Sequence, residues 1–199
     1  MIAGAIATEL DPDHLSTPYR VQTNWHVITG APSSGKSTLI AQLAARGLRT
    51  VPEAARQYIE HEVAAGRTVD QLRENPATLQ RALTRACLEL ERDLRPDDVL
   101  FLDRAYPDAL AWYRLLGLDP NEILSNCYHH RYASVFLLDR CPFKDDGVRF
   151  TDDADVGFLD EWHARDYSAL GYCVVRVPVL PPEERLAFVL ERIPDQEPA

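Results

Sequence analysis

Eight consecutive residues near the start of the chain have types and spacing suited to phosphate chemistry. Gly30-Ala31-Pro32-Ser33-Ser34-Gly35-Lys36-Ser37 fits the pattern G-x-x-x-x-G-K-[ST]. Glycines at its two ends let the backbone curl until successive N–H groups converge on an anion. A helix opening at Lys36 would add the positive end of its dipole. Lys36 then reaches the β- and γ-phosphates of a nucleoside triphosphate, the Ser37 hydroxyl coordinates Mg²⁺, and Thr38 continues the binding segment. The competing reading is a Gly/Ser turn that caps a helix. The strand before the segment and the amphipathic stretch after it favour the phosphate cradle, with ATP and Mg²⁺ as the expected ligands.

Further residues gain meaning from that cradle. Val99-Leu100-Phe101-Leu102-Asp103 is an apolar run closed by a carboxylate. An acid at such a strand end can hold Mg²⁺ against phosphates, directly or through water; taken alone, the run is also what an ordinary buried strand looks like. Arg104 reads equally as a salt-bridge arginine and as a phosphate or substrate contact. Glu53, in Val51-Pro52-Glu53-Ala54-Ala55-Arg56, follows a short strand and opens a helix. It either pairs with the helix dipole or faces the phosphates, where it would take the proton of an attacking hydroxyl. Arg56, one turn on, would hold Glu53 or bind the acceptor. Tyr106 is a core residue or a wall of an acceptor pocket, while Trp112 and Tyr113 read as core. Residues 139–149 carry Arg140, Lys144 and Arg149 around Gly147. They form either a basic lid over the triphosphate or an exposed turn whose Asp145 and Asp146 neutralise its cations. His129-His130 reads as a solvated helix end rather than a metal pair.

These residues need elements to hold them. The pattern predicts a strand over 25–29, a helix over 36–46 with Leu39, Ile40 and Leu43 as its apolar stripe, and a short strand over 49–51. Helices over 53–65 and 77–93 follow, then a strand over 99–102 ending at Asp103. One or two helices fill 107–130, a strand occupies 134–138, a helix 156–170 and a strand 172–177, and a last helix starts at Glu183. Alternating strands and helices imply a parallel sheet covered on both faces, with ligands beyond the carboxyl ends of the strands. The loops after Thr29, Val51, Leu102 and Leu138 should therefore meet at one site. Residues 1–23 read as an extension, loosely held or packed on the domain surface; 24–193 form the domain and 194–199 a short tail.

Bulk properties narrow the partners. A chain of 199 residues that is 46% hydrophobic suits one compact domain with a sizeable core. A net charge of −10 argues against a nucleic-acid or anionic-membrane surface, both of which want clustered Lys and Arg. Cys87, Cys127, Cys141 and Cys173 show no zinc spacing and read as reduced, mostly packing residues. No apolar run is long enough to span a membrane, and the apolar N-terminal residues lack the basic flank of a signal peptide, so a cytoplasmic location is expected.

The segments Thr29–Thr38 and Val51–Arg56, with Leu102-Asp103-Arg104-Ala105-Tyr106-Pro107-Asp108 and Asp146-Gly147-Val148-Arg149, together resemble a bacterial group of predicted AAA-type ATPases. That group is similar to the ribosylnicotinamide kinase domain of NadR-type proteins. The resemblance spans about residues 24–193. It implies an α/β P-loop NTPase, a kinase-like three-layer sandwich with a parallel five-stranded sheet and a lid loop after the fourth strand. It raises Arg149, and then Arg140, to lid arginines. It also likens Glu53 to the base of deoxynucleoside kinases, and Asp103-Arg104 to the acid-arginine motif of those kinases and of thymidylate kinase. No segment resembles the adenylyltransferase or DNA-binding domains of NadR-type proteins. The expectation is a kinase that moves the γ-phosphoryl of ATP to a nucleoside-like hydroxyl. The alternative is a slow ATPase or GTPase that acts as a nucleotide-dependent switch. No oligomeric state can be read from the sequence.

Overall fold

The computed structural model describes residues 5–140 and 153–193, and every structural statement below concerns those residues. A short helix α1 (Pro12–Leu15) and strand β1 (Val21–Gln22) precede β2 (Trp25–Thr29), which leads into α2 (Lys36–Ala45). Next come β3 (Thr50–Val51), α3 (Ala54–Ala64), α4 (Val69–Arg73) and the long α5 (Pro76–Asp93). β4 (Leu100–Asp103) is followed by α6 (Asp108–Leu115), α7 (Asn121–Leu124) and a 3₁₀ turn (Ser125–Tyr128). Then come β5 (His130–Arg131), β6 (Ser134–Leu138), α8 (Asp153–Ala169), β7 (Val174–Val177) and α9 (Pro182–Leu190).

Five strands form one parallel sheet in the order β3-β4-β2-β6-β7. Side chains alternate across it, as the two-residue period of a strand requires. Trp25, Val27, Leu100, Leu102 and Val135 enter a core shared with residues of α6, α7 and α8. Ile28, Phe101, Phe136 and Leu138 enter a second core with Leu39 and Leu43 of α2 and Leu186 and Val189 of α9. Both faces are thus covered, which is why these strands read as continuous apolar runs. Because β2 and β4 are neighbours, with Ile28 opposite Asp103, the phosphate-loop segment and the acidic strand end emerge side by side.

The expected three-layer α/β architecture is observed, with boundaries shifted by a residue or two at most helix ends. The short α4 was not anticipated, although its signal was present. Thr68 Oγ1 accepts from Gln71 N at 3.2 Å and Gln71 Oε1 accepts from Thr68 N at 2.8 Å, a reciprocal capping box. The reading of His129-His130 as a solvated helix end is corrected. His130 lies in β5, is 9% exposed and faces Glu91 Oε2 across 3.3 Å. Residues 5–23 lie along the domain: Arg114 Nε donates to Thr8 O, Tyr19 OH to Leu170 O, and β1 pairs in parallel with β5. Cys87, Cys127 and Cys173 are unpaired thiols, with Cys127 buried and Cys173 exposed. The lid expected over 141–149, including Arg149 and Cys141, and the tail 194–199 fall outside the described residues. Among the described residues no helix is long and apolar enough to cross a membrane.

Candidate active site

The phosphate-loop segment leaves β2 through a backbone that few residue types allow. Gly30 has φ +144°, and a Cβ there would lie 2.9 Å from both Leu138 O and Ser34 Oγ. Gly35 has φ +90°, and a Cβ there would lie 2.8 Å from Arg185 Nη1. Only glycine meets both demands without displacing its neighbours. Between them Ser33 takes φ +63°, in the left-handed region. The loop then turns directly into α2, whose first residue is Lys36. Lys36 is buried, and its Nζ donates to Gly30 O at 2.8 Å, Ala31 O at 2.9 Å and Ser34 Oγ at 3.3 Å. Burial and the nearby Arg104 lower its pKa to about 7, against the opposing pull of Asp103, Asp108 and Glu53. Ser37 and Thr38 are exposed on the first turn, while Pro32 flanks the curl. Arg140 follows β6, its guanidinium near Gly157 of α8.

Beside the loop, β4 ends in Asp103 and the chain reverses at Arg104. Arg104 has φ +68°, and with Ser33 it makes the pair of described non-glycine residues with positive φ. Such a conformation in a residue with a Cβ costs about 1–2 kcal/mol. The turn places Arg104 Nε 2.9 Å from Glu53 Oε1 and its Nη1 3.2 Å from Asp108 Oδ1. Asp108, at the start of α6, is a buried hub. It also accepts from Thr29 Oγ1, from Ala105 N at 3.1 Å and from Tyr167 OH at 2.7 Å. Burial alone would raise its pKa; His163, Arg104 and these hydrogen bonds hold it below the usual carboxylate value. Asp103 behaves oppositely: burial and the Glu53 carboxylate raise it, while Arg104, Lys36 and Arg56 pull it back.

On the far side of Glu53 and Arg104 a cavity of about 630 Å³ opens between α3, α5 and α6. Its walls are largely apolar, with Leu83, Leu90, Ile59 and Trp112 among them, and with Gln80 and Thr84 on α5. Glu53, Arg56, Asp103, Arg104 and Tyr106 line the same space. Tyr106 is 3% exposed, its ring on the cavity and its OH accepting from Asn126 Nδ2 at 3.2 Å, so it is both core and wall.

Asp103 Oδ1 is buried and receives no hydrogen bond, and Ser37 is exposed on the first turn of α2. Hard oxygen donors of this kind suit Mg²⁺, which binds proteins through one or two side chains and fills the rest of its shell with phosphate oxygens and water. Among the described residues no group of three or more His, Cys, Asp or Glu side chains could hold a metal ion.

A family model described as AAA domain (AAA_28) matches residues 25–185, a span that takes in the loop, Glu53, the Asp103-Arg104 turn and the whole cavity. The chain belongs to that family. A comparison with curated proteins gives no match. Among solved structures, this AAA-domain chain is similar to NadR in complex with NR, with TM-score 0.64 and 18% identity over 89% of this chain and 53% of that one. It is also similar to deoxyadenosine kinase from M. mycoides with bound dATP, with TM-score 0.59 and 13% identity over 86% of this chain and 100% of that one. At such identities the likeness shows the fold, a kinase-like P-loop NTPase.

Three residues of the AAA-domain site escaped the sequence reading. Asp108 stands in the Leu102–Asp108 segment, four residues after Arg104, but nothing in the pattern marks it as the hub. Arg185 reaches from α9 to donate to Ser34 O at 2.6 Å and Pro178 O at 3.0 Å, bracing the loop from behind. Its signal was an arginine inside the apolar stripe of the last helix, beside Leu186. His163 sits fully buried on α8, 3.6 Å from Asp108, and the sequence offers no sign of it.

Proposed function

We propose that residues 24–193 form a nucleotide-dependent small-molecule kinase that transfers the γ-phosphoryl of ATP to a hydroxyl of a nucleoside-like acceptor. One observation carries the reading. The cavity of about 630 Å³ opens onto Glu53, Asp103 and Arg104, at the same strand ends as the phosphate loop. A hydrolase needs only water at that position. A largely apolar compartment beside a carboxylate is what a bound acceptor requires.

In this reading Lys36 and the loop amides hold the phosphates, the dipole of α2 adding to them. Ser37 and Asp103 would hold Mg²⁺, which would withdraw charge from the phosphates. Glu53 accepts the proton of the acceptor hydroxyl, and Arg104, fixed by Asp108, orients Glu53 toward the cavity. Arg56 and Tyr106 contact the acceptor from the wall, and the cavity's apolar lining keeps water from competing with it. Arg140, and Arg149 beyond the described residues, would neutralise the developing charge on the phosphoryl group from the lid side.

The test measures consumption of ATP and of GTP with Mg²⁺, each with and without a pool of nucleosides and other hydroxyl compounds, in wild type and Lys36→Ala. Acceptor-stimulated turnover that disappears in Lys36→Ala is the expected result. Tight nucleotide binding with slow turnover, indifferent to every acceptor, would sink the kinase and leave a nucleotide-dependent switch.

A further inference from the structure

We infer that the acceptor cavity selects against molecules carrying an anionic group at the position of the attacking hydroxyl, with Glu53 setting that selectivity as well as serving as base. The inference rests on the kinase reading above and goes on to say which acceptors the site refuses.

The cation placed to meet such a group is Arg104, whose side chain is 12% exposed at the turn between β4 and the cavity. It is already engaged on two sides, by Glu53 Oε1 at 2.9 Å from Nε and by Asp108 Oδ1 at 3.2 Å from Nη1. Asp103 adds a third carboxylate beside it. Lys36, the other buried cation here, directs its Nζ into the phosphate loop. Around the whole cavity five carboxylates face two guanidinium groups, those of Arg104 and of Arg56, and Arg56 is exposed.

The inner wall points the same way. Glu91 is 3% exposed and accepts from Tyr106 N at 2.8 Å and Tyr132 OH at 2.9 Å, while Gln80 and Thr84 beside it are uncharged. A phosphate or carboxylate entering the cavity would have to draw Arg104 away from Glu53, or rely on the exposed Arg56, whose charge water screens, while sitting among like charges. Both are unfavourable. A neutral hydroxyl instead donates straight to Glu53 and leaves the Arg104 pair intact. Exclusion of this kind is specificity by repulsion, and Glu53 is the carboxylate whose removal both weakens it and releases Arg104.

The experiment is titration calorimetry on the full chain, saturated with Mg·ADP so that monophosphates cannot bind through the phosphate loop. Adenosine, cytidine, uridine and thymidine are each compared with their own 5′-monophosphate, in wild type and in Glu53→Gln. At least one nucleoside should bind wild type about tenfold or more tightly than its monophosphate, and Glu53→Gln should narrow that ratio about fivefold or more. Equal or tighter monophosphate binding in wild type, or an unchanged ratio in Glu53→Gln, overturns the inference. The kinase reading fails separately. Turnover with monophosphates as the best acceptors refutes the selectivity alone, whereas no binding of either class together with no acceptor-stimulated turnover refutes both.

Discussion

Replacing His163 by leucine should remove much of the acid sensitivity of the fold. The imidazole is wholly buried on α8, 3.6 Å from Asp108, and neither ring nitrogen has a hydrogen-bond partner. Burial lowers its pKa from 6.5 to about 4, against the attraction of Asp108. Above pH 6.5 neither the folded nor the unfolded state binds this proton. Between 6.5 and about 4 the unfolded chain binds it and the folded protein does not, so stability falls as pH falls; below about 4 both are protonated and the loss levels off. At about 1.4 kcal/mol per pH unit, that interval amounts to about 3 kcal/mol. Leucine nearly matches the volume, carries no proton and leaves Asp108 its bonds from Thr29, Ala105, Tyr167 and Arg104. His26, lowered to about 4 by burial, acts in the same direction, and Asp166, raised to about 7 by burial, in the opposite one. Both are common to the two proteins and cancel in the difference. Urea unfolding followed by tryptophan fluorescence at pH 7, 6, 5 and 4 gives the comparison. The stability difference between His163→Leu and wild type should move in the variant's favour by about 3 kcal/mol from pH 7 to pH 4. Parallel stability curves would refute the claim that burial holds this imidazole neutral.

Phosphate beside Lys36 favours its charged form, so binding above pH 7 should draw a proton from solvent and affinity should fall as pH rises past 7, with about one proton taken up at pH 8. Calorimetry in buffers of different ionisation enthalpy measures that uptake, and Lys36→Ala should abolish it. Gly30→Ala forces a Cβ to within 2.9 Å of Leu138 O at φ +144° and should destabilise the fold by about 2 kcal/mol or more, read as a fall in the urea midpoint. Arg114→Met strips Asp166 of a fully buried partner at 2.7 Å, and should cost about 3–5 kcal/mol in chemical denaturation at pH 8. The cost should shrink at pH 5, where Asp166 is neutral, because burial raises its pKa to about 7.

The sheet and the cradle were legible because local rules dictate them. The Gly30–Ser37 spacing, the apolar runs of β2, β4 and β6 and the helix after Gly35 each follow from a short stretch of chain, so pattern and structure agree. Glu53 was legible only as a pair of alternatives, since a helix-start carboxylate looks the same whether it faces solvent or a cavity. The structure brings it to Arg104, 51 positions away in the chain, which no local pattern could do. His130 was misread for a related reason. A pair of histidines after a helical stretch has no local mark of burial, and what buries His130 is Glu91 from α5 and the ring of Trp25, 4.7 Å away. His163 and Arg185 owe their roles to packing between elements distant in sequence.

The turn at Arg104 links these levels. A left-handed arginine is unfavourable by itself, so the surrounding contacts must hold it, and they converge on Asp108. Thr29, the last residue before the phosphate loop, donates to the same Oδ1 that pairs with Arg104, and Ala105 N and Tyr167 OH donate to Oδ2. One buried carboxylate therefore ties the end of the strand that leads into the glycine loop to the arginine that pairs with Glu53. Displacing it would disturb the glycine loop and the Glu53–Arg104 pair together. On the kinase reading proposed above, in-line transfer would depend on their relative placement to within a fraction of an ångström, so the rigidity of this joint would serve the chemistry more directly than the strength of either ligand contact.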